Sequence, residues 1–251
     1  MKIVVCVKQV PDTETKVVIA SDGLSIDPAD VKYVMNPYDE FAVEEALKLK
    51  EAAGEGEVIV LTLGNESAQP VMRTAMAMGA DSGVLLKAEN AALADGLAIA
   101  RVLAAEIKEM GADLILAGKI AIDGYGHQVA TMLGELLDLP VLPTAKSLVI
   151  DEGLATIQRD IEGGKETVTA KLPCVITAEK GLNDPRYPAL KGIMQAKRKP
   201  LEVKDVTLDT AGVEILEMSY PPKKPEGRIV GEGPEAAAEL VKLLRDEAQV
   251  I

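Results

Sequence analysis

The chain has 251 residues and a formal charge of −13, from 40 acidic against 27 basic side chains. Apolar residues make up 48% and charged ones 27%, a globular composition on a length that suits one large α/β domain or a domain with an appendage. Aromatics are only 2%, with no Trp and one Phe; a chain poor in rings and net negative is a poor fit to stacked bases or a phosphate backbone, so no nucleic acid is expected as partner.

Residues 2–7, KIVVCV, read as a short buried strand, too short for the apolar core of a signal peptide. Cys6 and Cys174 both lie in apolar runs and suit reduced core positions. No run approaches the ~18 apolar residues of a membrane span, so the chain is expected to be cytoplasmic and not membrane-embedded. Residues 16–20 and 24–26, around Ser21-Asp22-Gly23, read as a small hairpin. MNPYDEF opens a helix: Asn36 suits the N-cap and Pro37 the first position, Asp39 and Glu40 complement the dipole, and Gly54 closes it.

Strand 57–63, a helix to Gly79, strand 83–86, helix 92–110, strand 114–118 and helix 127–138 follow in order. In helix 92–110, Leu93, Leu97, Ala100 and Ala104 are aligned. Strands apolar on both faces and alternating with helices imply a parallel sheet covered on both sides, over roughly residues 1–145. SLVI, ATIQRDI, ETVTAKL and CVITAEK are then short strands joined by DEG and EGG turns, expected as antiparallel ribbons. Past Lys199 the chain is sparse until a helix at 234–246 bearing Ala237, Leu240, Val241 and Leu244. This tail lacks the apolar surface for a core of its own and is expected to pack on another chain. The domains expected are 1–199 and a C-terminal arm, 200–251.

Ligands of open parallel sheets lie beyond the carboxyl ends of the strands, near the reversal of strand order. Three strand ends carry suitable chemistry: Cys6-Val7-Lys8, Leu63-Gly64-Asn65, and AGKIAIDGYGHQVA at 117–130. In the third, Gly118, Gly124 and Gly126 permit close approach and positive φ, the loop runs into a helix start that favours an anion, Lys119 adds a cation, and Asp123 suits a ribose or a turn. Its glycines fit an ordinary turn as well, and its spacing is neither GxGxxG nor a Walker A loop. The single histidine, His127, has no partner at suggestive spacing except Asp123 and reads best as a ring lining the loop. One His and two distant cysteines make no zinc site, and no nucleophile elbow is present. Residues 181–200, GLNDPRYPALKGIMQAKRKP, are too long and too basic for a mere connection and read as a docking loop.

The run IQRDIEGGKETVTAKLPCVIT, with LNDPRYPALKGIMQAKRKP after it, resembles the signature region of the electron transfer flavoprotein β subunit; KIVVCVKQVPDT, MNPYDEFAVEEALKLKE, RTAMAMGAD and AGKIAIDG are similar to that family in order and spacing, from Met1 to at least Pro200. The resemblance implies a Rossmann-like fold of the adenine nucleotide α-hydrolase kind. It implies a heterodimer with an α subunit that holds most of the FAD contacts, and an AMP bound mainly by this chain. It makes the protein an electron carrier rather than an enzyme, loaded by flavin dehydrogenases such as acyl-CoA dehydrogenases and emptied to a membrane quinone oxidoreductase. Carried onto this sequence, the AMP contacts fall at Cys6, at Asn36, Pro37, Tyr38 and Asp39, at Leu63, and along Gly118, Lys119, Ile120, Ala121, Ile122, Asp123, Gly124, Tyr125, Gly126, His127, Gln128 and Val129. Leu190 takes the place of a leucine that plugs an apolar pocket on the dehydrogenase, with Arg186, Tyr187, Ile193 and Met194 around it; Lys197, Arg198 and Lys199 suit steering of acidic partners. Asp160 matches an acid that meets an arginine of the α subunit. Thr13 stands where many relatives place an aromatic residue against the flavin. The loop DGYGHQVA departs from the usual AMP-type pattern and shares Asp123-Gly124 and Gln128-Val129 with a bifurcating branch, in which a second FAD replaces AMP and takes hydride from NADH. A stand-alone nucleotide-binding module of the universal-stress kind is the alternative of another class.

Overall fold

The computed structural model describes residues 1–209, 212–224 and 226–251. They form two compact units, Met1–Glu217 and Met218–Ile251.

The first unit opens with β1 (Lys2–Cys6), followed by β2 (Gln9–Pro11) and β3 (Tyr33–Met35), which pair antiparallel. Between them, the expected hairpin at 16–26 reduces to one bridge, Ile19 to Ile26, and a turn at Gly23. Val17, Val18 and Leu24 remain exposed, so no third layer holds longer strands there. Helix α1 (Pro37–Ala53) begins at the expected proline and ends on Gly54 at φ 71°, a left-handed residue that glycine takes at no steric cost. Next come β4 (Glu57–Gly64), α2 (Gln69–Met78), β5 (Ser82–Lys87) and α3 (Gly96–Met110). Helix α3 starts four residues later than the pattern predicts, because the Asp95 carboxylate accepts from the Ala98 N–H and caps it there. Its buried stripe is correspondingly Ala100, Leu103, Ala104 and Ile107, while Leu93 and Leu97 stay exposed.

Strand β6 (Leu114–Gly118) leads through the long loop to α4 (Val129–Leu137), whose end at Asp138 is left-handed. Then follow β7 (Val141–Ala145), β8 (Ser147–Asp151), β9 (Leu154–Ile161), β10 (Gly164–Lys171), β11 (Cys174–Ala178), α5 (Leu190–Ala196) and β12 (Leu201–Asp205). Strands β8, β9 and β10 form the expected antiparallel ribbon. CVITA, expected within that ribbon, instead enters the main sheet between β6 and β7. All five of its residues are buried, which suits a central parallel strand and not a ribbon with one wet face. The parallel unit therefore does not stop near residue 145, and the boundary after Lys199 is corrected as well: β12 extends the sheet by pairing in parallel with β5, and the unit runs to Glu217.

The main sheet is seven-stranded and parallel, in the order β12-β5-β4-β1-β6-β11-β7. From β1 the chain builds outward to β4 and β5, then returns to place β6 on the other flank. The order thus reverses between β1 and β6, and beyond the carboxyl ends of two such strands lies the crevice in which open parallel sheets bind their ligands. Alternation along each strand serves two cores. Ile3 and Val5 face the layer of α1 and α2; Val4 faces that of α3 and α4. Burying each such side chain contributes roughly 1.5–3 kcal/mol. In the ribbon, Ala155 and Ile157 join the α1-side core.

The second unit contains α6 (Ala236–Asp246), an amphipathic helix none of whose residues is buried. No helix among the described residues is long and apolar enough to cross a membrane.

Candidate functional site

The crevice is built around Asp39. This carboxylate is 5% exposed. Its Oδ2 accepts from the Lys8 backbone N–H at 2.7 Å, just past β1, and its Oδ1 accepts from the Gly118 N–H at 3.0 Å, at the end of β6. One side chain of α1 therefore pins together the two strand ends that flank the reversal. Gly118 has to be glycine for this reason: a Cβ there would stand 2.4 Å from Asp39 Oδ1 and 2.7 Å from Tyr38 Cβ. Its bareness admits the start of α1.

Asn36 completes the knot. Its side chain does not cap α1. Instead Nδ2 donates to Asp39 Oδ1 at 2.9 Å and to the Ile120 carbonyl at 2.8 Å, while Oδ1 accepts from the Ile122 N–H at 3.2 Å. A buried amide with partners for donor and acceptor fixes the loop's first turn. Burial pushes the Asp39 carboxyl up to about 7, against the pull of its N–H donors and of Lys8. Burial and the Asp39 charge also push the Cys6 thiol up to about 12, so it stays protonated.

Both loop charges are engaged within the chain. Lys119 Nζ pairs with Glu179 at 2.5 Å and lies 5.0 Å from the centre of the Tyr38 ring. Asp123 pairs with Lys8 at 2.7 Å. Lys8 belongs to the first strand end singled out in the sequence, whereas Glu179, just past β11, carried no sequence signal and is brought here by its pairing with Lys119. Beyond Asp123 the loop stands open. Gly124, Tyr125, Gly126, His127 and Gln128 are all exposed. The positive φ values expected at glycines occur at Tyr125 (51°) and His127 (57°) instead, a conformation uncommon for side-chain-bearing residues. The loop ends at the start of α4, where Gln128 provides no side-chain cap and leads into Val129. Amide groups at such a start, with the helix dipole behind them, suit an anion. Cys6, Leu63 and Val129 are partly buried and pack against the α3–α4 core. Pro37 takes the first position of α1, and Ala121 accepts from the Tyr125 N–H, closing the turn. The ends of β4, β1 and β6 thus lie side by side on one edge of the sheet, and Asn36, Asp39 and Lys119 spend their polar atoms on the protein.

The 181–200 segment lies on the α1–α2 layer. Tyr187 is 95% exposed, Leu190 76%, Met194 64% and Ile193 44%. Arg186, expected to face a partner, turns inward onto Glu44 and Glu51. Lys199 likewise donates to the Met76 and Ala80 carbonyls at the end of α2, an internal role rather than a steering one. Asp160, on β9, pairs with Lys146 at the surface.

The sequence places these features among known proteins. The electron transfer flavoprotein domain matches residues 23–209. Over the whole of both chains, 45% of residues are identical to the electron transfer flavoprotein subunit beta of Bacillus subtilis. Identity is 41% to that of Syntrophomonas wolfei, over 95% of this chain and 93% of the relative, and 38% to the mitochondrial subunit beta of Arabidopsis thaliana, again over both whole chains. The chain therefore belongs to the electron transfer flavoprotein β-subunit family, an electron-carrier component whose β designation implies an α partner.

Proposed function

We propose that the chain binds one AMP in the crevice between β1 and β6, supports an FAD-bearing α subunit, and docks flavin dehydrogenases, acyl-CoA dehydrogenases among them, so that electrons pass toward a quinone oxidoreductase. The observation that carries the nucleotide assignment is the exposed rim 124–128 running into the uncapped start of α4, at the sheet edge where the partly buried Cys6 and Leu63 end their strands. An adenylate suits this arrangement. Its phosphate meets the amides near Gly126, His127, Gln128 and Val129, and its adenine meets the apolar edge. Asn36 and Asp39 act on it through the backbone they hold, not by direct contact. Asp160 meets the α subunit with its exposed carboxylate, and the arm from Met218 onward packs on that subunit, which gives the apolar face of α6 a partner. FAD supplies the one- and two-electron chemistry when bound; this chain positions it and admits donors. Two free cysteines and acidic net charge suit a reducing cytoplasmic setting.

The exposed apolar set Tyr187, Leu190, Ile193 and Met194 forms the docking surface. Burying one leucine contributes roughly 1.5–3 kcal/mol, enough to anchor a transient complex without locking it. Leu190→Ala is expected to raise KM for the heterodimer in dehydrogenase-driven reduction about tenfold, since ~1.4 kcal/mol is a factor of ten, with FAD content unchanged. Loss of flavin in this variant would make the loop a structural element instead.

The whole reading is tested by purifying the chain with its α subunit and quantifying nucleotides after acid extraction. One FAD and one AMP per heterodimer supports it. Two FAD, with direct reduction by NADH, indicates the bifurcating type, which shares Asp123-Gly124 and Gln128-Val129 with this loop. A stable monomer or homodimer that ignores the α subunit indicates a stand-alone nucleotide-binding module.

A further inference from the structure

The apolar knuckle at 187–194 is held from both ends. At its carboxyl end α5 lies directly on α2: a Cβ on Gly192 would stand 2.3 Å from the Ala77 carbonyl oxygen. Arg73, on α2, donates to the Ala196 and Lys199 carbonyls at 2.6 and 2.8 Å. At the amino end Asn183 donates to the Phe41 carbonyl at 2.9 Å and to Glu45 at 2.8 Å.

Arg186 is the last fixed point before the knuckle. Its Nε and Nη2 donate to the two oxygens of Glu44 at 2.8 and 2.9 Å. Its Nη1 and Nη2 donate to those of Glu51 at 2.5 and 3.0 Å. Four of the five guanidinium N–H donors are thereby spent inside the chain. The Arg186 backbone N–H also donates to Glu44 at 3.1 Å. Glu44 and Glu51 are seven residues apart on α1, so they share one face of that helix. Glu44 is 5% exposed; without the guanidinium its charge would be buried and unpaired. Only Tyr187, Pro188 and Ala189 separate this clamp from Leu190.

We propose that Arg186 is a positioning residue for partner docking. By forking between Glu44 and Glu51 it fixes the angle at which the chain leaves α1, and so where Tyr187 and Leu190 stand; it does not present a charge to the partner. The inference rests on the reading of 187–194 as the docking surface. Lysine keeps the charge but is a single point donor that cannot span two carboxylates in one plane. Substitution by lysine therefore separates positioning from electrostatic attraction.

The test uses the purified αβ heterodimer as acceptor and a purified acyl-CoA dehydrogenase with its substrate as donor. Arg186→Lys is expected to raise KM for the heterodimer on the order of tenfold, with kcat within about twofold. FAD and adenylate content stay at parental values. Amide hydrogen exchange in 187–194 quickens while that in the middle of α1 does not. In a Leu190→Ala background, Arg186→Lys adds no further rise, because both changes act on one contact. Glu51→Gln, a change at an exposed carboxylate that leaves Glu44 paired, is expected to raise KM about twofold to threefold, and keeps the test decisive should the arginine variant fold poorly. Parental KM in Arg186→Lys, or in Glu51→Gln where the arginine variant does not fold, together with a raised KM in Leu190→Ala, overturns the positioning role and leaves the docking surface standing. Parental KM in Leu190→Ala as well removes the docking surface, and the role of Arg186 with it.

Discussion

Asp39 concentrates more of this protein's architecture than any other polar residue of the crevice. Its carboxylate accepts from Lys8, Gly118 and Asn36, and so links β1, β6 and α1. In Asp39→Asn one acceptor oxygen becomes an N–H donor facing another donor, and a donor left unsatisfied costs about 1–3 kcal/mol. The pH dependence has a definite sign. Burial raises the folded value to about 7, above the ordinary 3.8, so the fold favours the protonated form. The stability this carboxyl contributes is complete below about pH 4 and is lost as pH rises through 7. Denaturation midpoints measured from about pH 4 to about pH 8 are expected to fall more steeply in the parent than in Asp39→Asn. Equal slopes would mean that the carboxyl titrates as an ordinary aspartate. The sequence reads Asn36 as the cap of α1, whereas its side chain holds the loop after β6 instead. A helix-start pattern identifies an Asn that can cap, but it cannot reveal that the loop after a distant strand supplies Ile120 and Ile122 as stronger claimants.

At the scale of elements, the loop from β6 to α4 divides into a tied half and an open half. Ile120 and Ile122 are held by Asn36, and Asp123 by Lys8. From Gly124 onward the side chains are exposed. Gly126 is the useful probe of the open half. A Cβ there would meet nothing of the chain within 4 Å, and its φ lies outside the left-handed region. Gly126→Val is therefore expected to leave the unfolding of the nucleotide-free chain within about 0.5 kcal/mol of the parent, as surface changes away from special features do. The adenylate retained per heterodimer after gel filtration should fall severalfold. Full retention would place the phosphate elsewhere. The segment 181–200, proposed for docking, also has a rigid origin. Gly192 lets α5 reach the backbone of α2, and Arg73 and Lys199 stitch the two helices together. Arg186 looked like partner-facing charge in sequence because its pairing with Glu44 and Glu51, some 135–142 positions earlier, leaves no local signature, while Lys197 and Arg198 do stay exposed.

For the molecule as a whole, the sheet and the C-terminal unit divide the work. The Met1–Glu217 unit contains every strand of the main sheet and both apolar cores. In Met218–Ile251, α6 buries none of its residues and leaves Leu240 and Val241 exposed. Truncation after Glu217 is expected to change the thermal midpoint of the first unit by no more than about 2–4 °C, the equivalent of ~1 kcal/mol at this size, while abolishing stable assembly with the α subunit on gel filtration. A truncated chain that still assembles would show that the arm is dispensable to the heterodimer.

The sequence alone determined the parallel α/β class, the helix starts at Pro37 and near Gln69, and the strand ends at Cys6, Leu63 and Gly118. These rest on local quantities: apolar runs, punctuation by proline and glycine, and motif order. Tertiary structure alone decided that CVITA is a central strand, that 201–205 extends the sheet, and that Asn36, Asp39, Lys119, Arg186 and Lys199 turn inward. The physical reason is common to all of them. A strand's neighbours and a polar side chain's partners are chosen among groups far apart in the chain, and the choice is made by which buried donors and acceptors the finished packing brings within reach.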